Sequence, residues 1–111
     1  MAKLERKLNG NFDQLLADVE RVVLQGSISA TLEDKADYWS PHGGRCSVRV
    51  FERYSMLGEN RVSMNVTLFQ PEGGPVCLCA ITSGGSQATF FKINTLGEEA
   101  FLDTLRAGLN L

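Results

Sequence analysis

The chain has 111 residues, 43% of them hydrophobic and 22% charged, with a net charge of −2. That length fits a single domain over 1–111, and that balance fits an ordinary folded core. A slightly acidic chain has no general attraction for nucleic acid or anionic membrane, and no apolar stretch nears the roughly 18 residues of a spanning helix.

In chain order, residues 3–8 (KLERKL) read as a charged edge strand, where lysine and arginine discourage pairing with other chains. The stretch MAKLERKLNG lacks the apolar centre of a secretory signal, and Cys46, Cys77 and Cys79 make no disulfide framework. Reduced thiols in a cytoplasmic protein are therefore expected.

Residues 11–26 predict a helix. Asn11 caps it, with Gln14 placed for a capping box, and Phe12, Leu15, Leu16, Val19, Val22 and Val23 form one apolar face. Gly26 is expected to end it in the left-handed conformation.

Strands follow at 27–33, 45–56, 61–69 and 76–82, with 34–44 (DKADYWSPHGG) read as a loop and Leu57-Gly58-Glu59 as a hairpin loop. Alternation puts Ile28, Ala30, Leu32, Cys46, Val48, Val50, Val62, Met64, Val66 and Leu68 on the core side. Glu52 then points inward among apolar residues, as the odd member.

The stretch TSGGSQATFFKI has two readings. As a hairpin turning at Gly84-Gly85, it sets Ile81 opposite Ala88, Cys79 opposite Phe90, Leu78 opposite Phe91 and Val76 opposite Ile93. Phe91 and Ile93 then face the core and Phe90 the other side. Alternatively, Ser86 caps a short helix and the Gly84–Gln87 amides form an anion-binding nest. No phosphate-loop or dinucleotide fingerprint accompanies it. A last helix spans 96–108, with Thr95 and Glu98 as a capping box and Phe101, Leu102, Leu105 and Leu109 as its apolar face.

The order β-α-β-β-β-β-β-α, joined by hairpin-length connections, predicts an α+β fold. Its antiparallel sheet has five or six strands, with two helices packed on one face.

The face away from the helices is expected to carry Ser27, Ser29, Thr31, Ser47, Arg49, Arg53, Arg61, Ser63, Asn65 and Thr67, with Phe51, Phe69 and Phe90 interleaved. It reads as a solvated face, as a dimer interface, or as an anion-binding surface in which Arg49, Arg53 and Arg61 grip carboxylate or phosphate. Cys77 and Cys79 share one face while parity puts Cys46 on the other, so a zinc site lacks ligands. His42 sits in a flexible loop, and nothing in the spacing pairs it with a thiol.

The segments RCSVRVFERYSMLGENRVSMNVTL and AITSGGSQATFFKINTLGEEAFL resemble a family of small, uncharacterised bacterial proteins over nearly the whole chain, from LNGNFD to the last helix. The resemblance implies a stand-alone bacterial cytosolic protein and supplies no catalytic residues.

A complete core pattern without a catalytic constellation points to a non-enzymatic binding or regulatory module that forms homodimers, without metal, cofactor, nucleic acid or membrane. The alternative is a protein binding a small anionic metabolite through Arg49, Arg53 and Arg61 or through Ser83, Gly84, Gly85, Ser86 and Gln87.

Overall fold

The elements run β1 (Ala2–Leu8), α1 (Phe12–Gln25), β2 (Thr31–Trp39), β3 (Arg45–Ser55), β4 (Asn60–Gln70), β5 (Val76–Gly84) and α2 (Phe91–Gly108). The computed structural model describes residues 1–55, 60–84 and 91–111, with side chains from 97 onward in the last segment. The strands make one antiparallel sheet in the order β1-β5-β4-β3-β2. Both helices pack on the same side of it, giving the expected α+β architecture with five strands.

Local chemistry explains α1. Asn11 is extended (φ −79°, ψ 130°), and its side chain accepts the Gln14 N–H at 3.0 Å. The Gln14 amide does not close a capping box but donates to Asp18 Oδ1 at 2.9 Å. Gly26 is right-handed (φ −78°) rather than left-handed. Glycine is needed there for room, since a Cβ would stand 2.4 Å from Thr104 Cγ2 of α2.

The core lies between the helices and one sheet face. Val19, Val22 and Val23 of α1 and Phe101, Leu102 and Leu105 of α2 meet Leu4, Val62, Met64, Val66, Leu68, Val76, Leu78 and Ala80. In β4 and β5 the even positions are buried, as alternation predicts.

In β3 the faces are the reverse of the expectation. Ser47, Arg49 and Phe51 are buried against the helices, while Cys46, Val48, Val50 and Glu52 point to the open side. The cause is one residue of loop length. Ser55 pairs with Asn60, so four residues separate the partners rather than three, and odd positions of β3 face even positions of β4. A one-residue slip exchanges every side chain of a strand between faces.

Two further boundaries move. The strand expected at 27–33 begins at Thr31 and runs through most of the supposed 34–44 loop to Trp39, leaving Ile28 fully exposed. The polar run Asp34-Lys35-Asp37 belongs to an edge strand, where charge is the normal outward chemistry. A bulge at Glu33, between Leu32 and Asp34, resets the alternation, so Leu32 faces Phe51 while Lys35 and Asp37 face Arg49 and Ser47.

The sixth strand of the expected order is replaced by helix. Phe91 and Ile93 lie in α2, which starts five residues before position 96 and takes Thr95 into its interior. The strand neighbours of Leu78 are Arg6 of β1 and Leu68 of β4, which leaves β5 no free edge for a partner at 86–93. The facing of Ala88 and Phe90, and the Ser86 cap, lie outside the described residues.

Candidate functional site

The three arginines expected on one surface are divided between the two faces of the sheet. Arg49 lies on the helix side, where its Nε donates to Glu20 Oε1 of α1 at 2.7 Å and its Nη1 meets Asp37 Oδ1 of β2 at 2.9 Å. Nη1 also donates to the Val48 carbonyl at 3.0 Å. Ser47 Oγ donates to the same Asp37 oxygen at 2.7 Å. The Ser47 hydroxyl and the Arg49 guanidinium hold the Asp37 carboxyl below the usual carboxylate range. Burial works against the charge on Arg49, but Glu20 and Asp37 outweigh it and raise its pKa. This cluster fastens α1 to the β2 edge, and its cation is fully engaged.

Arg61 lies on the open face, where its Nε donates to Glu52 Oε1 at 2.9 Å. Glu52, expected inward, thus faces outward as the partner of Arg61.

Arg53 differs from both. It is half-buried on the helix side, its guanidinium 4.6 Å from the Phe101 ring centroid, with Nη1 donating to Thr104 Oγ1 at 3.1 Å. No carboxylate among the described residues lies within ion-pair distance of it, and burial lowers its pKa. It nonetheless stays charged at neutral pH.

Of the glycine-rich segment, Ser83 and Gly84 close β5. Ser83 Oγ is 2.9 Å from Ser63 Oγ across the β4–β5 pair, and Gly84 N donates to Glu98 Oε1 of α2 at 3.2 Å. The buried Glu98 carboxylate also meets the amino group of Met1 at 2.6 Å. Gly85, Ser86 and Gln87 lie outside the described residues. His42 is exposed in the β2–β3 turn. Among the described residues no three His, Cys, Asp or Glu side chains gather as a metal site.

Register makes the open face a grid. One row reads Tyr38, Cys46, Phe69, Cys77, Lys7 from β2 to β1, the next Ala36, Val48, Thr67, Cys79, Glu5, and the third Asp34, Val50, Asn65, Ile81, Lys3. All three cysteines are therefore on this one face, contrary to the expected separation of Cys46, and each is free and half-buried. In the first two rows, every residue of β2 to β5 except Thr67 is apolar or a thiol. Sequence reasoning missed this surface because the misplaced parity of β3 hid Cys46, Val48 and Val50 in the core.

At the end of the grid, beside the β2–β3 and β4–β5 turns, lies a groove of about 410 Å³ whose walls include Tyr38, Trp39, Phe69, Pro71 and Glu72. Tyr38 and Trp39 are 63% and 65% exposed, although large aromatics are seldom left so open.

These features define a small α+β fold with a helix-covered face and an open face whose two turn-end rows are mainly apolar and thiol-bearing. The chain belongs to the family of unknown function DUF6054, whose model matches residues 1–111. No curated protein gives a match. Among the described residues no helix is long and apolar enough to cross a membrane.

Proposed function

We propose that the chain is a non-enzymatic binding or regulatory module that pairs with a second copy of itself through the open face of its sheet. The observation that carries this reading is the apolar content of the two rows from Tyr38 to Cys77 and from Ala36 to Cys79. Antiparallel sheets with one solvated face normally alternate apolar inside with polar outside. Five strands at their usual spacing over about nine residues span roughly 700 Å², near the about 800 Å² that each partner of a standard interface contributes. A two-fold axis along the central β4 lays β2 of one copy over β1 of the other, bringing Asp34 of the third row toward Lys3 of the same row. The charged edges of β1 and β2 oppose pairing by strand addition, which favours face over edge. The three free thiols support a reducing, cytoplasmic setting.

Sedimentation velocity tests the reading. A dimer is expected, and Val48→Lys should yield a monomer of unchanged circular dichroism. A wild-type monomer at about 100 μM would sink the proposal, since such weak association would sit far from the affinity of a specific pair.

A second reading, recognition of a small anion, is favoured by Arg53, the one member of the arginine trio without a carboxylate partner among the described residues. Its guanidinium has further N–H groups for a carboxylate or phosphate, with the Thr104 hydroxyl beside them. Phosphate or a dicarboxylate should raise the melting temperature of the wild type but not of Arg53→Met. Equal shifts in both proteins would remove Arg53 from the account.

A further inference from the structure

We infer that the groove at the turn end of the sheet is a binding site for a small organic cation, an alkylated ammonium group carried on an apolar body. The argument begins with Trp39, the single tryptophan of the chain. Its position is built from below. Arg45 is ion-paired with Asp13 at 2.7 Å, and its guanidinium is stacked 4.1 Å from the Phe12 ring centroid and 5.5 Å from that of Trp39. Through Arg45 the indole is linked to the start of α1, yet Trp39 is 65% exposed. A large aromatic left this open offers a ring face to a ligand.

Tyr38 and Phe69 add two more exposed rings, and Pro71 also lines the groove. The volume of about 410 Å³ falls in the range of small-ligand clefts. Aromatic walls accept cations through the negative faces of their rings. Charge sets the sign. Arg45 and Glu72 are the charged residues of the lining. Arg45 is engaged by Asp13, whereas no cation among the described residues lies within ion-pair distance of Glu72, so the Glu72 carboxylate is the charge the groove offers a ligand. A neutral apolar ligand would leave that carboxylate unused, and an anion would oppose it.

The groove borders the proposed dimer face: Tyr38 and Phe69 belong to its first row, while Trp39, Pro71 and Glu72 lie beyond the paired rows at the turn end of the sheet.

Intrinsic fluorescence tests the inference, because every photon from tryptophan comes from the groove. Tetramethylammonium and benzyltrimethylammonium are titrated into the full chain, with the uncharged 3,3-dimethylbutanol as a shape control. The expected result is a saturable change with millimolar affinity for the cations, weakened about fivefold in Glu72→Gln and by at least that factor for the alcohol. Glu72 is exposed, so its replacement leaves folding intact, which thermal melting verifies. A linear, non-saturating response, or equal affinity for cation and alcohol, overturns the proposal. Cation binding undiminished in Glu72→Gln overturns the assigned role of that carboxylate and with it the charge argument. Loss of self-association in Val48→Lys with retained cation binding would separate this site from the dimer face.

Discussion

Arg49 of β3 and Glu20 of α1, 29 positions apart in the chain, meet at 2.7 Å on the helix side of the sheet. The guanidinium is buried and the carboxylate is one-third exposed, so the pair is only partly desolvated. Removing the cation leaves Glu20 and Asp37 without a counter-charge. Arg49→Met should lower unfolding free energy by about 2 kcal/mol, less than a fully buried pair would lose. Arg49→Lys should recover part of this, since an ammonium keeps the charge but not the fork that reaches both acids. Urea denaturation with an unchanged m-value reads the difference.

Asp37 gives that cluster a pH dependence with a definite sign. Its folded pKa is lowered by Ser47 and Arg49, so its contribution is present above the unfolded carboxylate value and is lost as pH falls through the lower folded value. The melting-temperature gap between the wild type and Asp37→Asn should be constant near neutrality and shrink below about pH 4. A gap unchanged down to pH 2 would mean that Asp37 is not held by those partners.

Gly108 closes the contact between the helices. A Cβ there would stand 2.0 Å from Val22 Cγ1 and 2.9 Å from Cγ2. Alanine normally favours a helix over glycine by about 1 kcal/mol. Here overpacking against a fully formed core should win, giving a net destabilisation of roughly 1–2 kcal/mol for Gly108→Ala. The double variant with Val22→Ala should recover part of that loss, measured by thermal melting.

The grouping of Cys46, Cys77 and Cys79 makes thiol chemistry a probe of self-association. If two copies stack through the open face, alkylation by iodoacetamide should slow as protein concentration rises, and Val48→Lys should abolish that dependence. Rates equal at low and high concentration would place the interface elsewhere.

What the sequence revealed, and what it concealed, follows from where the deciding contacts lie. Helix α1 was legible because Asn11 and the spacing from Phe12 to Val23 act locally. The alternation of β4 and β5 was equally plain, since both are central strands whose even positions meet the same helices. Strand β3 was not. Val48 and Val50 look like core residues and Arg49 does not, and only Glu20 and Asp37, distant in the chain, make a buried Arg49 tenable. The later part of β2, from Asp34 to Trp39, resembled a loop because edge strands and loops share polar chemistry. Phe91 to Ile93, β-prone in composition, lie in a helix because β1 and β4 already occupy both sides of β5. The candidate site inherited these errors: the three arginines parted between the two faces, the thiol grid emerged from strand register, and the Trp39 groove emerged from packing at the turn end.

The pairing of β1 with β5 has a consequence for assembly. Strands β2 to β5 are consecutive and can zip together by short local closures, whereas Leu4 must wait for Ala80 to exist before it has a neighbour. Long closures carry a larger entropic cost and slow folding. During synthesis β1 therefore lacks its strand partner until β5 exists, and until β1 docks, β5 offers a bare row of amides and carbonyls. In that interval a free peptide with the sequence AKLERKL would compete for the vacancy, and the domain is completed only when its own first strand arrives last.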